Sequence, residues 1–182
     1  MKTDLSKYDN SWYSPGPSLK RSFWYLINEI CIRNPFNPSS TSKIFLLRLF
    51  GAKIGKNVVI KPKVNIKYPW KLSIGNNCWI GESVWIDNLD EVILEDNVCL
   101  SQGSFLICGN HNYKKERFDL MIAPITIKEG GWVGAKSIVG PGVTLESHSV
   151  LSLGSVATSN LDAYSIYRGN PAIKVKDRIL KN

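Results

Sequence analysis

Aliphatic residues recur at every sixth position over most of the chain. Three segments that start 20 residues apart carry them at Ile54, Ile60 and Ile66, at Ile74, Ile80 and Ile86, and at Leu94, Leu100 and Leu106. The beat is suspended after Leu106 and returns at Ile127, Val133, Val139, Leu145 and Leu151. Four residues after most of these stands a small or β-branched side chain, at Val58, Val64, Cys78, Val84, Val98, Ser104, Ser137, Val143, Ser149 and Ser155. A period of six fits neither the 3.6 of an α-helix nor the two of a simple strand. It fits a triangular coil. Each hexad supplies one short strand and one corner, and three hexads close a turn of about 18 residues. Two extra residues at one corner account for the spacing of 20. Turns stack at the ordinary strand separation of about 4.8 Å, with the aliphatics in interior columns. Gly and Asn suit the corners, because they tolerate turn conformations that β-branched residues resist. The pattern predicts an all-β chain: a parallel β-helix of about five turns over residues 54–160.

The first 53 residues do not repeat. They predict a helix over Ser22–Arg33 and another over Thr41–Phe50, after which RLFGAKIG enters the first turn. Residues 161–182 read as a turn at Gly169-Asn170-Pro171 followed by a C-terminal capping helix. The apolar stretch SFWYLINEICI is too short to cross a bilayer and is interrupted by Asn28 and Glu29. Covering the core is its simplest role, and contact with a membrane surface is the alternative.

Composition narrows the classes. A chain of 182 residues, 43% hydrophobic and 21% charged, is enough for one domain with a sizeable core. A formal charge of +8 points to an anionic partner. The positive residues are scattered, and no Lys/Arg run reads as a nucleic-acid tail, so nucleic acid is not the expected partner. Cys31, Cys78, Cys99 and Cys108 show no CxxC spacing, and MKTDLSKYDN has no apolar signal region. A reduced, cytoplasmic protein is expected, with the inner face of the membrane as the variant of that location.

The suspended beat covers CGNHNYKKERFDLMIAP, Cys108 to Pro124. It is polar, charged and closed by a proline, which predicts a loop protruding over residues 111–124. His111, one of two histidines in the chain, stands at its start. A lone histidine is most often a satisfied structural residue. One at the root of a loop that can reach a ligand or a neighbouring subunit is a better candidate for chemistry.

The IG-x-x-V/C-x-I-G hexads resemble the left-handed β-helix of the hexapeptide acyltransferases. The resemblance supplies the handedness; the periodicity does not. The segment GSFLICGNHNYKKERFDLMIAPITIKEGGWVGAKSIVGPGVTL is similar to the maltose- and galactoside-type sugar O-acetyltransferases. In them a histidine opens such a loop and a P-I-T-I-x-x-x-x-W-I/V-G run follows. This chain has PITIKEGGWVG at residues 124–134. The match implies that acetyl-CoA is the co-substrate, that no metal is used, and that His111 is the general base. An imidazole suits the task, taking the proton of a sugar hydroxyl as its oxygen attacks a thioester. The oxyanion then needs a donor, which the sequence does not identify. Cys99 and Cys108 are nearby candidates for a covalent nucleophile but lack a dyad spacing. The family commonly has proline after the histidine, where this chain has Asn112. His148, in LESHSV, reads as an outward-facing turn residue. With two histidines, a His₃ zinc centre of the γ-type carbonic anhydrase kind cannot be built within one chain.

The C-terminal run SVATSNLDAYSIYRGNPAIKVKDRI resembles the family's ending, which implies cofactor-lining positions at Thr158, Gly169 and Pro171. Ser159 stands where the family often has lysine, and Arg168, Lys174 and Arg178 are the candidates to meet coenzyme A phosphates. Gly134, Ala135, Ser152 and Gly154 are small enough to let the pantetheine arm approach. For the acceptor, Asp87 and Asn88 interrupt the second turn where the family has a sugar-binding carboxylate. Asn110 is placed to position loop or substrate. Trp85 and Trp132 are read as flanking the cleft, since sugars stack on aromatic faces. Ordinary turn and packing roles remain open for Asp87, Asn88, Trp85 and Trp132. RLFGAKIG and YRGNPAIKVK look like the colanic acid biosynthesis acetyltransferases. That likeness implies a sugar acceptor on a glycan intermediate of bacterial exopolysaccharide, and a homotrimer. Two alternatives stay open: a same-fold acyltransferase acting on serine, an amino sugar or an antibiotic, and a non-catalytic β-helix scaffold.

Overall fold

The computed structural model describes residues 2–181. The repeat coils into a three-sided prism. Its first face carries Lys53–Ile54, Leu72–Ile74, Val92–Leu94, Ile125–Ile127 and Thr144–Leu145. Its second carries Val59–Ile60, Trp79–Ile80, Cys99–Leu100, Trp132–Val133, Val150–Leu151 and a terminal hairpin. Its third carries Asn65–Ile66, Trp85–Asp87, Phe105–Ile107, Ile138–Val139 and Val156–Ala157. Neighbouring strands within the coil are parallel, and the Leu145–Leu161 bridge begins a sixth turn above five complete ones.

The six-residue beat becomes three columns. Ile54, Ile74, Leu94, Ile127 and Leu145 stand in register on the first face. Ile60, Ile80, Leu100, Val133 and Leu151 do so on the second. Ile66, Ile86, Leu106, Val139 and Ala157 do so on the third. All are buried. The small residues four positions on are buried too, so two interior side chains per hexad exclude water from the coil. Glycine after the aliphatic has its own reason. A Cβ on Gly134 would stand 2.5 Å from the Leu153 nitrogen and 2.8 Å from the Leu151 carbonyl oxygen, in the backbone of the next turn. Close stacking therefore requires the missing side chain.

Two helices close the N-terminal end. Helix α1 (Ser18–Ile27) runs on into a π-helical turn, Asn28–Ile32. It lies on the third face, where Trp24 Nε1–H donates to the Ile66 carbonyl at 2.8 Å and the Asn28 amide donates to Asn65 Oδ1 at 2.8 Å. Helix α2 (Ser40–Leu49) is capped by Ser39, whose hydroxyl accepts from the Ser42 N–H at 3.2 Å. Its Leu47 is buried against the first turn. Lys43 lies beneath it, 0% exposed, and donates to the Ile60 carbonyl at 3.1 Å.

Burial, with Lys61 adding to it, lowers the pKa of Lys43. The fold therefore disfavours the charged form. Its penalty is present below the lowered folded value and fades as pH rises toward the unfolded value of about 10.4. Lys43→Met keeps the stem and removes the charge, and the Ser40 hydroxyl at 3.3 Å still serves the Ile60 carbonyl. The variant is expected to gain about 1 kcal/mol at pH 7, a rise in Tm of about 2–4 °C. The gain should shrink as the pH approaches 10.4. A scan showing a lower Tm would mean that the ammonium is a net support of the helix cap.

The C-terminus corrects one expectation. Among the described residues 161–181 there is no capping helix. Ser165–Gly169 and Ala172–Asp177 make an antiparallel hairpin that extends the second face beyond Val150–Leu151. The segment AIKVKD offers β-branched Ile173 and Val175 at alternate positions, so pairing with an open sheet edge wins over the helix start that Asn170-Pro171 would allow.

Candidate active site

The protruding segment is a β-ribbon, Gly109–His111 paired antiparallel with Leu120–Ile122. It leaves the coil at the corner between third and first faces, the corner that holds the extra residues of the earlier turns. Asn88 organises that corner. Its amide donates to the Tyr68 and Lys71 carbonyls at 2.6 and 3.1 Å, and its Oδ1 accepts from the Tyr68 N–H at 2.9 Å. Asn88 is 0% exposed. This corrects its reading as an acceptor contact: its polar atoms are committed to the previous turn and shut off from solvent.

His111 is held from three sides. Its Nδ1 lies 2.9 Å from the Phe118 carbonyl oxygen. That oxygen only accepts, so the neutral ring carries its hydrogen on Nδ1 and leaves the Nε2 lone pair free. The imidazole stacks on the Phe118 ring, centroids 4.5 Å apart and planes at 9°. Phe118 adopts a left-handed backbone, φ 53°, which turns its carbonyl within the ribbon. Tyr8 covers another side at 5.8 Å. The N-terminal segment is bolted to the ribbon by the Asp4 N–H to Glu116 carbonyl bond (2.9 Å) and the Lys7–Glu116 ion pair (2.8 Å). Neither Phe118 nor Tyr8 carries a sequence signal, because each meets the histidine through the ribbon's fold. Asn110 is local: its Oδ1 accepts from the His111 N–H at 2.8 Å.

Two grooves lie on the prism's faces. One, of about 560 Å³, runs between α1 and the third face and is walled by Arg21, Tyr25, Lys67, Tyr68, Trp85 and Asp87. Asp87 pairs with Lys67 at 2.8 Å, and Trp85 stacks on Phe105 at 4.6 Å. The other, of about 600 Å³, lies on the second face and brings together Gly134, Ala135, Ser152, Arg168 and Arg178 with Trp132. Leu153, in the turn after Val150–Leu151, and Lys176, on the terminal hairpin, also line it. Trp132 donates its indole N–H to the Ser101 hydroxyl at 2.9 Å.

Other expected positions fall elsewhere. Trp85 and Trp132 occupy different faces, so within one chain they do not flank one cleft. Gly154, Thr158, Gly169, Pro171 and Lys174 do not wall the second-face groove. Lys174 pairs with Asp177 at 2.9 Å, and Thr158 follows the last strand of the third face. Arg178 donates from Nη1 to the carbonyls of Gly130 (2.9 Å) and His148 (3.0 Å), so its charge reaches the groove from a braced position. His148 sits at a corner with φ 58° and stacks on Tyr164 at 4.8 Å.

Cys108 is 0% exposed, and burial pushes its thiol up to about 12. Burial raises Cys99 as well. Both are poor sources of thiolate. Cys99→Ala and Cys108→Ala are expected to keep kcat within about tenfold of wild type, whereas losing a covalent nucleophile costs on the order of 10⁶-fold. A drop of that second size in either variant would establish a thioester intermediate.

No family model matches the chain. By sequence it is 37% identical over 164 residues, 90% of each chain, to a colanic acid biosynthesis acetyltransferase, WcaF, of Escherichia coli K12. By structure it is similar to a hexapeptide-repeat acetyltransferase of Vibrio cholerae complexed with acetyl coenzyme A, at TM-score 0.79 and 18% identity, covering 87% of each chain. It is also similar to a galactoside acetyltransferase in complex with coenzyme A, at TM-score 0.77 and 24% identity, covering 87% of this chain and 80% of the other. The coil is thus that of the hexapeptide-repeat solenoids. The chain belongs to the hexapeptide-repeat acetyltransferases, in the family of WcaF, and is an acetyltransferase.

Proposed function

We propose that the protein transfers the acetyl group of acetyl-CoA to a hydroxyl of a sugar in bacterial exopolysaccharide synthesis. The observation that carries this reading is the His111 imidazole, tied through Nδ1 to the Phe118 carbonyl so that Nε2 is free to take a proton. Nε2 removes the hydroxyl proton while the oxygen attacks the thioester carbonyl. The tetrahedral oxyanion collapses, the C–S bond breaks, and coenzyme A leaves as the thiolate or, on taking the proton from the imidazolium, as the thiol. Attack is direct, in a ternary complex.

The second-face groove suits the cofactor. Gly134, Ala135 and Ser152 give a narrow floor for the pantetheine arm, and Arg168, Lys176 and Arg178 supply charge for phosphates. The Asp87–Trp85 cleft suits a sugar, with a carboxylate for hydroxyls and an aromatic face for stacking. The named relatives favour a sugar acceptor over serine or an antibiotic. His111 lines neither groove. The working site is therefore completed between copies of the chain, as a homotrimer in which one subunit's ribbon reaches its neighbour's groove.

The direct test is thiol release from acetyl-CoA with a panel of sugars, nucleotide-linked sugars and lipid-linked oligosaccharides, beside calorimetric binding of coenzyme A. Binding with turnover on a sugar supports the proposal. Turnover only on an amine or on serine transfers the assignment to the alternative acceptor. Failure to bind coenzyme A sinks it.

A further inference from the structure

Helix α1 has two faces. Trp24 and Asn28 bury one against the coil. Leu19, Phe23, Leu26 and Ile30 lie opposite, each 53% exposed or more. At 3.6 residues per turn Leu19, Phe23 and Leu26 fall within an arc of about 60°, and Ile30 follows in the π-helical turn. On α2, Phe45 and Leu49 are 65% and 68% exposed, one turn apart. Phe36, between the helices, is 91% exposed. The N-terminal cap thus presents an apolar surface that the coil does not cover, and an exposed patch of this extent marks an interaction site.

The positive charge of the sequence is weighted toward the part of the chain that includes this cap, although Lys43 is buried and Lys7, Lys63 and Lys67 pair with Glu116, Glu82 and Asp87. Residues 1–67 hold twelve of the 23 Lys and Arg but three of the 15 Asp and Glu, a balance of +9. The rest of the chain holds eleven against twelve, a balance of −1. Lys53 and Lys56, just past α2, are exposed. We infer that this cap docks on an anionic phospholipid surface, with the α1 stripe and Phe36, Phe45 and Leu49 entering the headgroup boundary and the surrounding lysines and arginines meeting lipid phosphates. Apolar anchors ringed by cations fit that partner. A two-fold contact with a second copy fits less well, since it opposes two ends of the same sign. No helix among the described residues is long and apolar enough to cross a membrane, so the contact is interfacial. Helix α1 also walls the Asp87 cleft, so docking sets that cleft beside the lipid surface.

The test is co-sedimentation of the full chain with vesicles of mixed phosphatidylglycerol and phosphatidylcholine, against phosphatidylcholine alone. Wild type should bind the anionic vesicles, and high salt or neutral vesicles should weaken binding by about tenfold or more. Phe23→Glu with Leu26→Glu should weaken it as much without changing turnover of a soluble acceptor. Lys53→Glu with Lys56→Glu gives an independent reading that leaves the apolar surface intact, with the same expected loss. Wild type left in the supernatant, or both variants binding as wild type does, overturns the inference. So does a change of molecular mass in the Phe23/Leu26 variant by light scattering, which would make this face a contact between copies.

Discussion

His111→Ala is expected to lower kcat by about 10²- to 10⁴-fold, or about 2.7–5.5 kcal/mol of transition-state stabilisation, while coenzyme A binds as before. The range follows from what the ring does. The Phe118 carbonyl accepts a hydrogen bond from Nδ1 in the neutral ring and accepts it again, more strongly, once Nε2 is protonated. On the proposed mechanism the contact both fixes the reactive tautomer and supports the imidazolium. Coenzyme A affinity should hold because the groove residues offered to its arm and phosphates, Gly134, Ser152, Arg168 and Arg178, are untouched. Two further variants separate the parts. Added imidazole should restore some activity to His111→Ala by entering the space beside Phe118. Phe118→Ala keeps the main-chain carbonyl but loses the stack, and about a tenfold loss is expected from a ring that is tied yet less well aimed. A loss below tenfold in His111→Ala would remove the residue from the chemistry and leave Asp87, or a group brought by another copy, as the base.

Much of the fold was legible because its physics repeats. A β-helix turn makes the same demand at every sixth position, so the aliphatics at Ile54, Ile60 and Ile66 announce the columns that Leu94, Leu100 and Leu106 continue. The position of His111 was legible for the opposite reason, as the place where the demand stops. What was hidden lies where a residue's partner is set by three-dimensional return of the chain. Asp4 meets Glu116 and Tyr8 meets His111, and no local spacing encodes either, whereas Asn88 bonds the Tyr68 corner at the 20-residue spacing of the turns. Asn88 is instructive. An amide at a turn reads equally as a sugar ligand or a corner bolt, and only burial separates the two. The C-terminal hairpin was hidden because a single short turn carries no period, so the open sheet edge on the second face decided its structure. That edge in turn decided the groove, since Lys176 and Arg168 reach it only from a hairpin.

Leu100→Ala is expected to cost about 3–5 kcal/mol and to lower Tm by roughly 6–20 °C. The side chain is 0% exposed in the third of five complete turns, with Ile80 below and Val133 above it in register. A coil cannot collapse around such a void, because hydrogen bonds from each turn to the next hold the backbone spacing, as from Gly81 N–H to the Leu100 carbonyl (2.8 Å) and from Ser101 N–H to the Val133 carbonyl (2.9 Å). The cost therefore sits in the upper part of the range for a buried leucine. Ile54→Ala, in the first turn and with a column neighbour on one side only, should cost about 2 kcal/mol. A stack that is stabilised turn against turn has a further weakness at its middle, since loss of coupling there lets the two ends melt separately. Urea unfolding should then show a lower apparent m for Leu100→Ala than for Ile54→Ala. Equal m values and equal losses would mean that the coil unfolds as one unit whatever the position of the defect. The middle turn also carries Ser101, whose hydroxyl holds Trp132 in the second-face groove. Disorder there would reach the groove before the ends of the prism, and coenzyme A affinity should fall at temperatures where circular dichroism still reports most of the sheet intact.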